Sequence, residues 1–282
     1  MVEDKFSDSP RVSVIMAAHN VGSSSIVNLA VESIVRQDME DWEMLICDDG
    51  STDETLTWLQ SWEKRDKRIR ILQNPHNLGA AGARNRCLQE AKGIYIAIMD
   101  ADDACSPGRL RVEASFLDTH PKYAFVGLQG ERFEQIPGDM HKPYWFRRFP
   151  QKENFLMTMP FVHASLMFRR PVILDAGGYD ETRRVERSED YDMLLRMYAK
   201  GLRGANIAEA VYYIREDEGT FRRRKYCYRL KEAGVKLRGF ARLGLMPKGF
   251  LFAIKPLVVG LLPTRLLEWL KERYYGRRME RL

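Results

Sequence analysis

Four short apolar runs, each set off from the next by a stretch with helical spacing, constrain this sequence more than any other feature. They are Val12-Ser-Val-Ile-Met16, Trp42-Glu-Met-Leu-Ile-Cys47, Ile69-Arg-Ile-Leu72 and Ile94-Tyr-Ile-Ala-Ile-Met99. Runs this short and this apolar read as strands buried on both faces, the pattern of a parallel sheet. Between them the spacing predicts helices over about residues 25–36 and 54–65, with Asp53 as a cap for the second. A third helix opens at Gly79-Ala-Ala-Gly-Ala-Arg-Asn-Arg86, with a face of small residues. Strands alternating with helices give an α/β body with a mostly parallel sheet. Ligands of such sheets bind at the carboxyl ends of the strands. Here two strands run into carboxylate clusters, so the site is expected to be acidic at its rim.

Size and composition remove several alternatives. At 282 residues the chain is one large domain or two small ones, and it buries enough surface to need no disulfide or metal staple. Hydrophobic residues at 45% and charged residues at 30% exclude a disordered chain. The four cysteines, Cys47, Cys87, Cys105 and Cys227, form no C-x-x-C pair, which argues against a zinc ribbon or a thioredoxin motif and for a reducing compartment. The first ten residues are polar and lack the apolar core of a signal peptide. The longest apolar stretch, residues 249–263, carries Lys255 and Pro256 and falls short of the ~20 residues a membrane-spanning helix needs.

The net charge of +6 is unevenly spread. Residues 222–282 hold 17 Lys and Arg against four Glu, a balance of +13, and the preceding residues carry −7. An acidic body with a basic tail points to an anionic partner for the tail.

Four constellations carry possible chemistry. Asp100-Ala101-Asp102-Asp103 follows a strand of apolar residues and Tyr95. Three carboxylates there repel one another, and a hard divalent cation relieves the repulsion while keeping positions open for phosphate oxygens. A solvated turn capping the next helix is the competing reading. Asp48-Asp-Gly-Ser-Thr-Asp53 offers a carboxylate to a base N–H, or is simply a capped turn. Asn77-Leu-Gly-Ala-Ala-Gly-Ala-Arg84-Asn85 is not a dinucleotide fingerprint. Its small residues suit close helix–sheet packing, and Arg84 is either a pyrophosphate ligand or a surface arginine. Gly177-Gly-Tyr-Asp-Glu181 precedes Ser188-Glu-Asp-Tyr-Asp192, where Ser188 reads as an N-cap. Glu189 and Asp190 then either complement the helix dipole or include a general base raised toward neutral pH by its neighbour. His163 and the Trp145-Phe146 pair are weaker candidates: His163 reads better as a core residue, and the aromatic pair serves equally as a sugar platform or a loop anchor.

Taken in order, Val12-Ser-Val-Ile-Met-Ala-Ala-His-Asn20, Asp48–Asp53, Asn77–Asn85, Met99–Asp103, Gly178–Glu181 and Glu189-Asp190 resemble the family 2 glycosyltransferases of bacterial surface-polysaccharide type. The resemblance spans about residues 10–216. It implies the GT-A fold (a Rossmann-like, mostly parallel sheet flanked by helices), a nucleotide-sugar donor, Mn²⁺ or Mg²⁺, and transfer with inversion. By the same resemblance Ala17, His19 and Asp49 line the base site, and Arg84 lies near the diphosphate. Asp100, Ala101 and Asp102 belong to the D-x-D element, Asp102 and Asp103 being metal ligands. Asp190 matches the catalytic base, with Glu189 beside it. His19 stands where the family usually carries Tyr, and no Gln-x-x-Arg-Trp element follows Arg215, so the resemblance points to one sugar per acceptor rather than processive polymerisation.

The expected organisation is an N-terminal tail over residues 1–10, a GT-A catalytic domain over 11–221 and a basic amphipathic helical extension over 222–282. Pro247, Pro256 and Pro263 are expected to break that extension into short helices, the last capped by Thr264. Its mixture of aromatic, leucine and basic residues suits a helix lying on an anionic membrane surface. The expected setting is therefore cytoplasmic, on the inner face of the plasma membrane near a glycan or lipid-linked acceptor. Two other readings compete. A nucleotidyltransferase would need a Gly-rich basic loop after the first strand, where His19-Asn-Val-Gly22 is a poor match. A nucleic-acid-binding protein would use the basic tail, but the body is acidic and no nucleic-acid motif is present.

Overall fold

The computed structural model describes residues 9–140, 142–216 and 226–261. Within them β1 (Val12–Ala18), α1 (Ser24–Val35), β2 (Trp42–Asp48), α2 (Thr55–Arg65), β3 (Ile69–Gln73), α3 (Gly79–Glu90) and β4 (Tyr95–Asp100) alternate as the apolar runs require. There follow β5 (Ala104–Cys105), α4 (Arg109–Thr119), β6 (Phe125–Phe133), β7 (Lys142–Tyr144), β8 (Met167–Arg169), α5 (Arg170–Asp175), α6 (Glu189–Ala199) and β9 (Gly204–Arg215). Two helices, α7 (Tyr226–Arg242) and α8 (Lys248–Leu261), complete the described chain.

The sheet order is β3-β2-β1-β4-β8-β6-β9-β5, with β7 paired to β6. The first four strands are parallel, as is β6 with β9. β8 is antiparallel to both neighbours, as are β5 to β9 and β7 to β6. The parallel character of the sequence pattern therefore belongs to the first half, where every strand is followed by a crossover helix. The second half is mixed: α4 leads from β5 into β6, β7 and β8 run against β6, and α5 and α6 carry the chain from β8 to β9, which lies parallel to β6.

Strand alternation assigns the two faces. In β1, Val12, Val14, Met16 and Ala18 pack with Val27, Val31 and Ile34 of α1, and with α2 and α4 beyond. Ile15 faces the other way, with Leu45, Cys47 and the small face of α3. That face lets α3 sit close to the sheet, and the Cys87 thiol reaches the Leu45 carbonyl at 3.4 Å. The second core continues through Leu194 and Leu195 of α6 into Val235 and Phe240 of α7 and Ala253 of α8. Gly239 of α7 lies so near Leu195 that a Cβ there would stand 2.4 Å from its Cδ1.

Three local expectations change. Asp48 and Asp100 are the last residues of β2 and β4 rather than loop residues. Pro256 lies inside α8 instead of ending it; it is buried where α8 meets α7, so tertiary packing overrides a local penalty. Ser188 occupies the N-cap position of α6, but its side chain makes no cap bond. Residues 1–8 of the expected N-terminal tail, the Arg222–Lys225 basic run and the Thr264-capped helix lie outside the described residues. No helix among the described residues is long and apolar enough to cross a membrane.

Candidate active site

β1 has β2 on one side and β4 on the other, so the strand order reverses there. An α/β sheet opens a crevice at such a point. A cavity of about 1130 Å³ occupies it, walled by Ala17 near the end of β1, His19 and Asn20 after it, Asp49 after β2, and Asp100, Ala101 and Asp102 at the end of β4. Asn77–Ala81 at the start of α3 and the segment leading into α6, including Glu189, close the far side. Seven of the ten candidate residues thus meet in one cavity.

The loops are held by specific bonds. The Asp49 carboxylate accepts from the Asn74 amide (2.8 Å) and from the backbone N–H groups of Leu78 (3.0 Å) and Gly79 (2.8 Å), clamping the start of α3. Asn20, at φ 47°, accepts from Thr52 N–H at 2.8 Å and so ties the end of β1 to the loop after β2. Gly50 has φ 67°, and a Cβ there would stand 2.7 Å from the His76 carbonyl carbon. Gly50→Ala should therefore cost about 1–3 kcal/mol from the backbone conformation alone, with the overlap added. A lowered Tm is the expected result, and an unchanged melting curve would refute it.

Asp100 and Asp102 face the cavity. Arg84 pairs with Asp100 at 2.7 Å, lies 5.6 Å over the Tyr179 ring, and stands behind Asp100 rather than lining the cavity. Arg84 is therefore neither an exposed surface arginine nor part of the cavity lining, and it sits next to Asp100, beside the cavity. Burial opposes its charge, but Asp100, Tyr179 and Glu189 outweigh that and keep the guanidinium protonated. Asp102 projects into the walled but open cavity, where confinement and the Asp100 charge raise its carboxyl above the usual range. Asp103 is buried, lies outside the cavity lining, and accepts the Arg215 N–H at 2.9 Å, which ties it to β9. Burial, then Asp102 and Asp100, push its carboxyl well up.

No three His, Cys, Asp or Glu side chains among the described residues form a ready-made metal cluster. Two carboxylates suffice for Mg²⁺ or Mn²⁺ when substrate phosphates complete the shell. Asp102, raised by confinement and by its neighbour's charge, is the kind of ligand a cation would relieve, so Asp100 and Asp102 fit the group. The rest of the lining agrees: Glu134, Asp180, Glu181, Glu186 and Glu216 add carboxylates, against Arg183, Arg187 and Arg215.

Glu189 and Asp190 open α6, and they separate. Glu189 lines the main cavity, with Oε2 buried and without a hydrogen-bond partner. Asp190 lines an adjoining cavity of about 340 Å³ instead, and Arg187 borders both. Asp190 Oδ1 accepts its own helix's Tyr191 N–H at 2.7 Å. Burial and the Glu189 charge push its carboxyl up to about 6. The segment before α6 is anchored by residues that the sequence singled out for no role. Asn85 bonds the Tyr179 carbonyl at 2.8 Å and Glu181 at 2.7 Å, and Arg196 holds the Ala176 and Gly178 carbonyls at 2.6 Å each. Asn20 and Asn85 stood inside quoted motifs, but their bonds span distant parts of the chain, and no local signal marks them.

His163 is a core residue, bonded to the Tyr179 hydroxyl at 2.9 Å; burial, then Arg84, push it down to about 3, so it stays neutral. Trp145 is exposed away from the cavity, and Phe146 packs on the first core.

Comparison with known proteins agrees with this geometry. Residues 13–175 match the model of glycosyl transferase family 2, and residues 95–270 match glycosyl transferase family group 2. EpsE of Bacillus subtilis is 33% identical over 96% of this chain and 95% of its own length. WfaP of Escherichia coli, named a UDP-Glc:alpha-D-GlcNAc-diphosphoundecaprenol beta-1,3-glucosyltransferase, is 29% identical over 79% of this chain and 84% of its own. Among solved structures, Staphylococcus aureus TarS 1–349 in complex with UDP-GlcNAc superposes with a TM-score of 0.67 at 18% identity, covering 90% of this chain and 77% of that one. The fold is thus that of the GT-A glycosyltransferases, and the chain is a glycosyltransferase belonging to glycosyl transferase family 2.

Proposed function

We propose that the protein moves one sugar, with inversion, from a UDP-sugar to a hydroxyl of a glycan or lipid-linked acceptor in cell-surface polysaccharide synthesis. The observation that carries this reading is the cavity at the strand-order reversal, which gathers the β1 and β2 loops, Asp100 and Asp102 and the start of α6 around about 1130 Å³. A cavity of that size and lining suits a ligand with a base, a diphosphate and a sugar. Ala17, His19 and Asp49 border the base. The UDP-GlcNAc complex of TarS and the UDP-glucose named for WfaP favour a uridine donor.

A divalent cation held by Asp100 and Asp102 would neutralise charge developing on the departing nucleoside diphosphate. Arg84 pairs with Asp100 at 2.7 Å and holds it at the cavity wall. Asp190 accepts the proton of the acceptor hydroxyl, and Glu189 raises its proton affinity toward neutral pH. Binding donor and acceptor side by side supplies much of the rate by positioning alone.

In this reading residues 11–221 form the catalytic domain, and residues 222–282 attach it peripherally to the anionic cytoplasmic face of the plasma membrane. The excess of positive charge in that segment supports the attachment, at about 1 kcal/mol per basic residue near such a surface. Failure to sediment with anionic vesicles at low salt would refute it.

The test of the activity is a panel of UDP-, GDP- and dTDP-sugars with Mn²⁺ or Mg²⁺, following donor hydrolysis and thermal shift with and without EDTA. The expected result is a UDP-sugar response that EDTA removes. No response to any donor from folded protein would overturn the reading.

A further inference from the structure

Ser188 stands at the N-cap position of α6 but its side chain makes no cap bond, so the start of that helix is fixed from elsewhere. The start matters because Glu189 and Asp190 are the first two residues of α6, and each lines a different cavity. Arg187, just before the cap, has φ 65°. A residue other than glycine keeps that left-handed conformation only where its surroundings impose it. Between Thr182 and Ser188 only Val185 and Ser188 are buried, so the body by itself grips this corner lightly.

α7 supplies the missing surroundings. Lys231 pairs with Glu186 at 2.5 Å, and the Arg187 guanidinium lies 6.0 Å over the Tyr228 ring. Further along α7, Lys236 is held by Glu232 at 2.8 Å and lies 5.6 Å over the ring of Tyr191, in the first turn of α6. Val235 is buried in the second core, and Gly239 lies against Leu195 of α6 with no room for a Cβ. Tyr228, Lys231, Val235 and Gly239 follow one another at three- and four-residue steps, so they share one face of α7. The contact at Gly239 seats that face on α6, and its other end meets the Glu186–Arg187 corner.

We infer that α7 positions the start of α6: Lys231 acting through Glu186, and Tyr228 acting through Arg187, hold the corner from which Glu189 and Asp190 enter their two cavities. Neither Lys231 nor Tyr228 lines either cavity, so both are positioning residues. The inference rests on the glycosyltransferase reading above for the roles of Glu189 and Asp190. It gives α7 a part in turnover that is separate from any attachment to a membrane. The Lys231 and Glu186 side chains are 25% and 46% exposed, and a pair so open to water adds little to folding. Its loss should therefore show in turnover and leave Tm almost unchanged.

Full-length Lys231→Met and Lys231→Arg are compared with the unsubstituted protein in the hydrolysis of UDP-GlcNAc with Mn²⁺, where water takes the place of the acceptor hydroxyl. In Lys231→Met kcat should fall about tenfold while KM and UDP affinity stay within about twofold, the pattern of groups held slightly out of place. Lys231→Arg keeps the ion pair and should keep the rate. A second readout needs no activity: the Asp190 carboxyl is titrated by carbon-13 NMR of aspartate-labelled protein, its signal identified by its absence from Asp190→Asn. The charges that set this titration, Glu189, Arg84 and Asp100, are untouched by the substitutions. In Lys231→Met the carboxyl should titrate at lower pH, nearer the ordinary carboxylate range, because a displaced helix start admits water. Loss of a nearby cation alone would move it the other way, so the sign separates position from charge. An unchanged kcat, an Asp190 titration that stays or rises, or a Lys231→Arg protein as impaired as Lys231→Met would each overturn the inference. So would a fall in UDP affinity that matches the fall in kcat, which would make Lys231 a general structural contact. No UDP-GlcNAc hydrolysis by the unsubstituted protein counts against the donor reading instead, and the Asp190 titration then decides the positioning by itself.

Discussion

Asp190→Asn lowers sugar transfer by at least ~10²-fold, the contribution typical of a positioned general base, while UDP affinity stays within twofold. The amide keeps the shape of the carboxylate and its bond to the Tyr191 N–H, so α6 still starts at the same place. What is lost is the ability to accept a proton. The pH profile makes the assignment sharper. Burial and the Glu189 charge place the Asp190 carboxyl at about 6. Above that pH it is ionised and able to take the acceptor's proton; below it, it is already protonated. The rate should therefore fall as pH drops through about 6. Glu189→Gln removes the charge that raises Asp190, so the same limb should move to lower pH with a smaller loss of turnover. A folded Asp190→Asn protein with near-normal turnover, or a limb that Glu189→Gln leaves in place, would remove Asp190 from the role. Because two interacting carboxyls share this corner, the limb belongs to the pair.

Arg109→Ala destabilises the protein by about 3–5 kcal/mol, the cost of stripping one partner from a buried ion pair. Arg109 and Glu113 have fully buried side chains, joined at 3.1 Å on successive turns of α4. The same guanidinium donates to the Ile98 carbonyl at 2.7 Å and the Ala164 carbonyl at 3.3 Å, and lies 5.0 Å over the Tyr212 ring. It therefore fastens α4 to β4 just below Asp100. Removing it leaves Glu113 buried without its partner, so the carboxyl either holds its proton or bears an uncompensated buried charge. Burial already pushes that carboxyl up to about 8 against the opposing pull of Arg109. An acid raised in the folded state holds its proton there at pH values where the unfolded chain has lost it. Folding stability from this group then falls as pH rises from the unfolded value toward the folded one. The variant should accordingly be more stable to urea at pH 5 than at pH 8. Arg109→Met combined with Glu113→Leu should recover most of the loss, since a well-packed apolar pair replaces a buried ion pair at little cost. A loss under 1 kcal/mol for Arg109→Ala, or no recovery in the double variant, would contradict this account.

Neither partner of that pair was marked by the sequence. Arg109 and Glu113 stand at i and i+4 of a helix and read there as an ordinary surface pair. Only the packing of α4 against β4 and β9 makes them interior. The same holds for Arg84 and Asp103, which stood in the right motifs. Whether a side chain enters the cavity or turns behind it depends on neighbours far along the chain: Asp100 takes Arg84, and the Arg215 N–H takes Asp103. Likewise Pro256 reads as a helix breaker locally and lies inside α8, buried where that helix meets α7.

What the sequence determined by itself was the first half of the sheet, its crossover helices and the end of the sheet at which the carboxylates gather. Strand and helix periods are local, and a strand that carries apolar residues to its end and then Asp-Ala-Asp must deliver them at the sheet's edge. The tertiary structure alone decided the antiparallel second half, the division of Glu189 and Asp190 between two adjoining cavities, and the packing of α7 and α8 that builds the second of them. Those outcomes depend on contacts between residues tens to hundreds of positions apart. Burial and charge at such contacts are set by the folded neighbourhood, to which no local period refers.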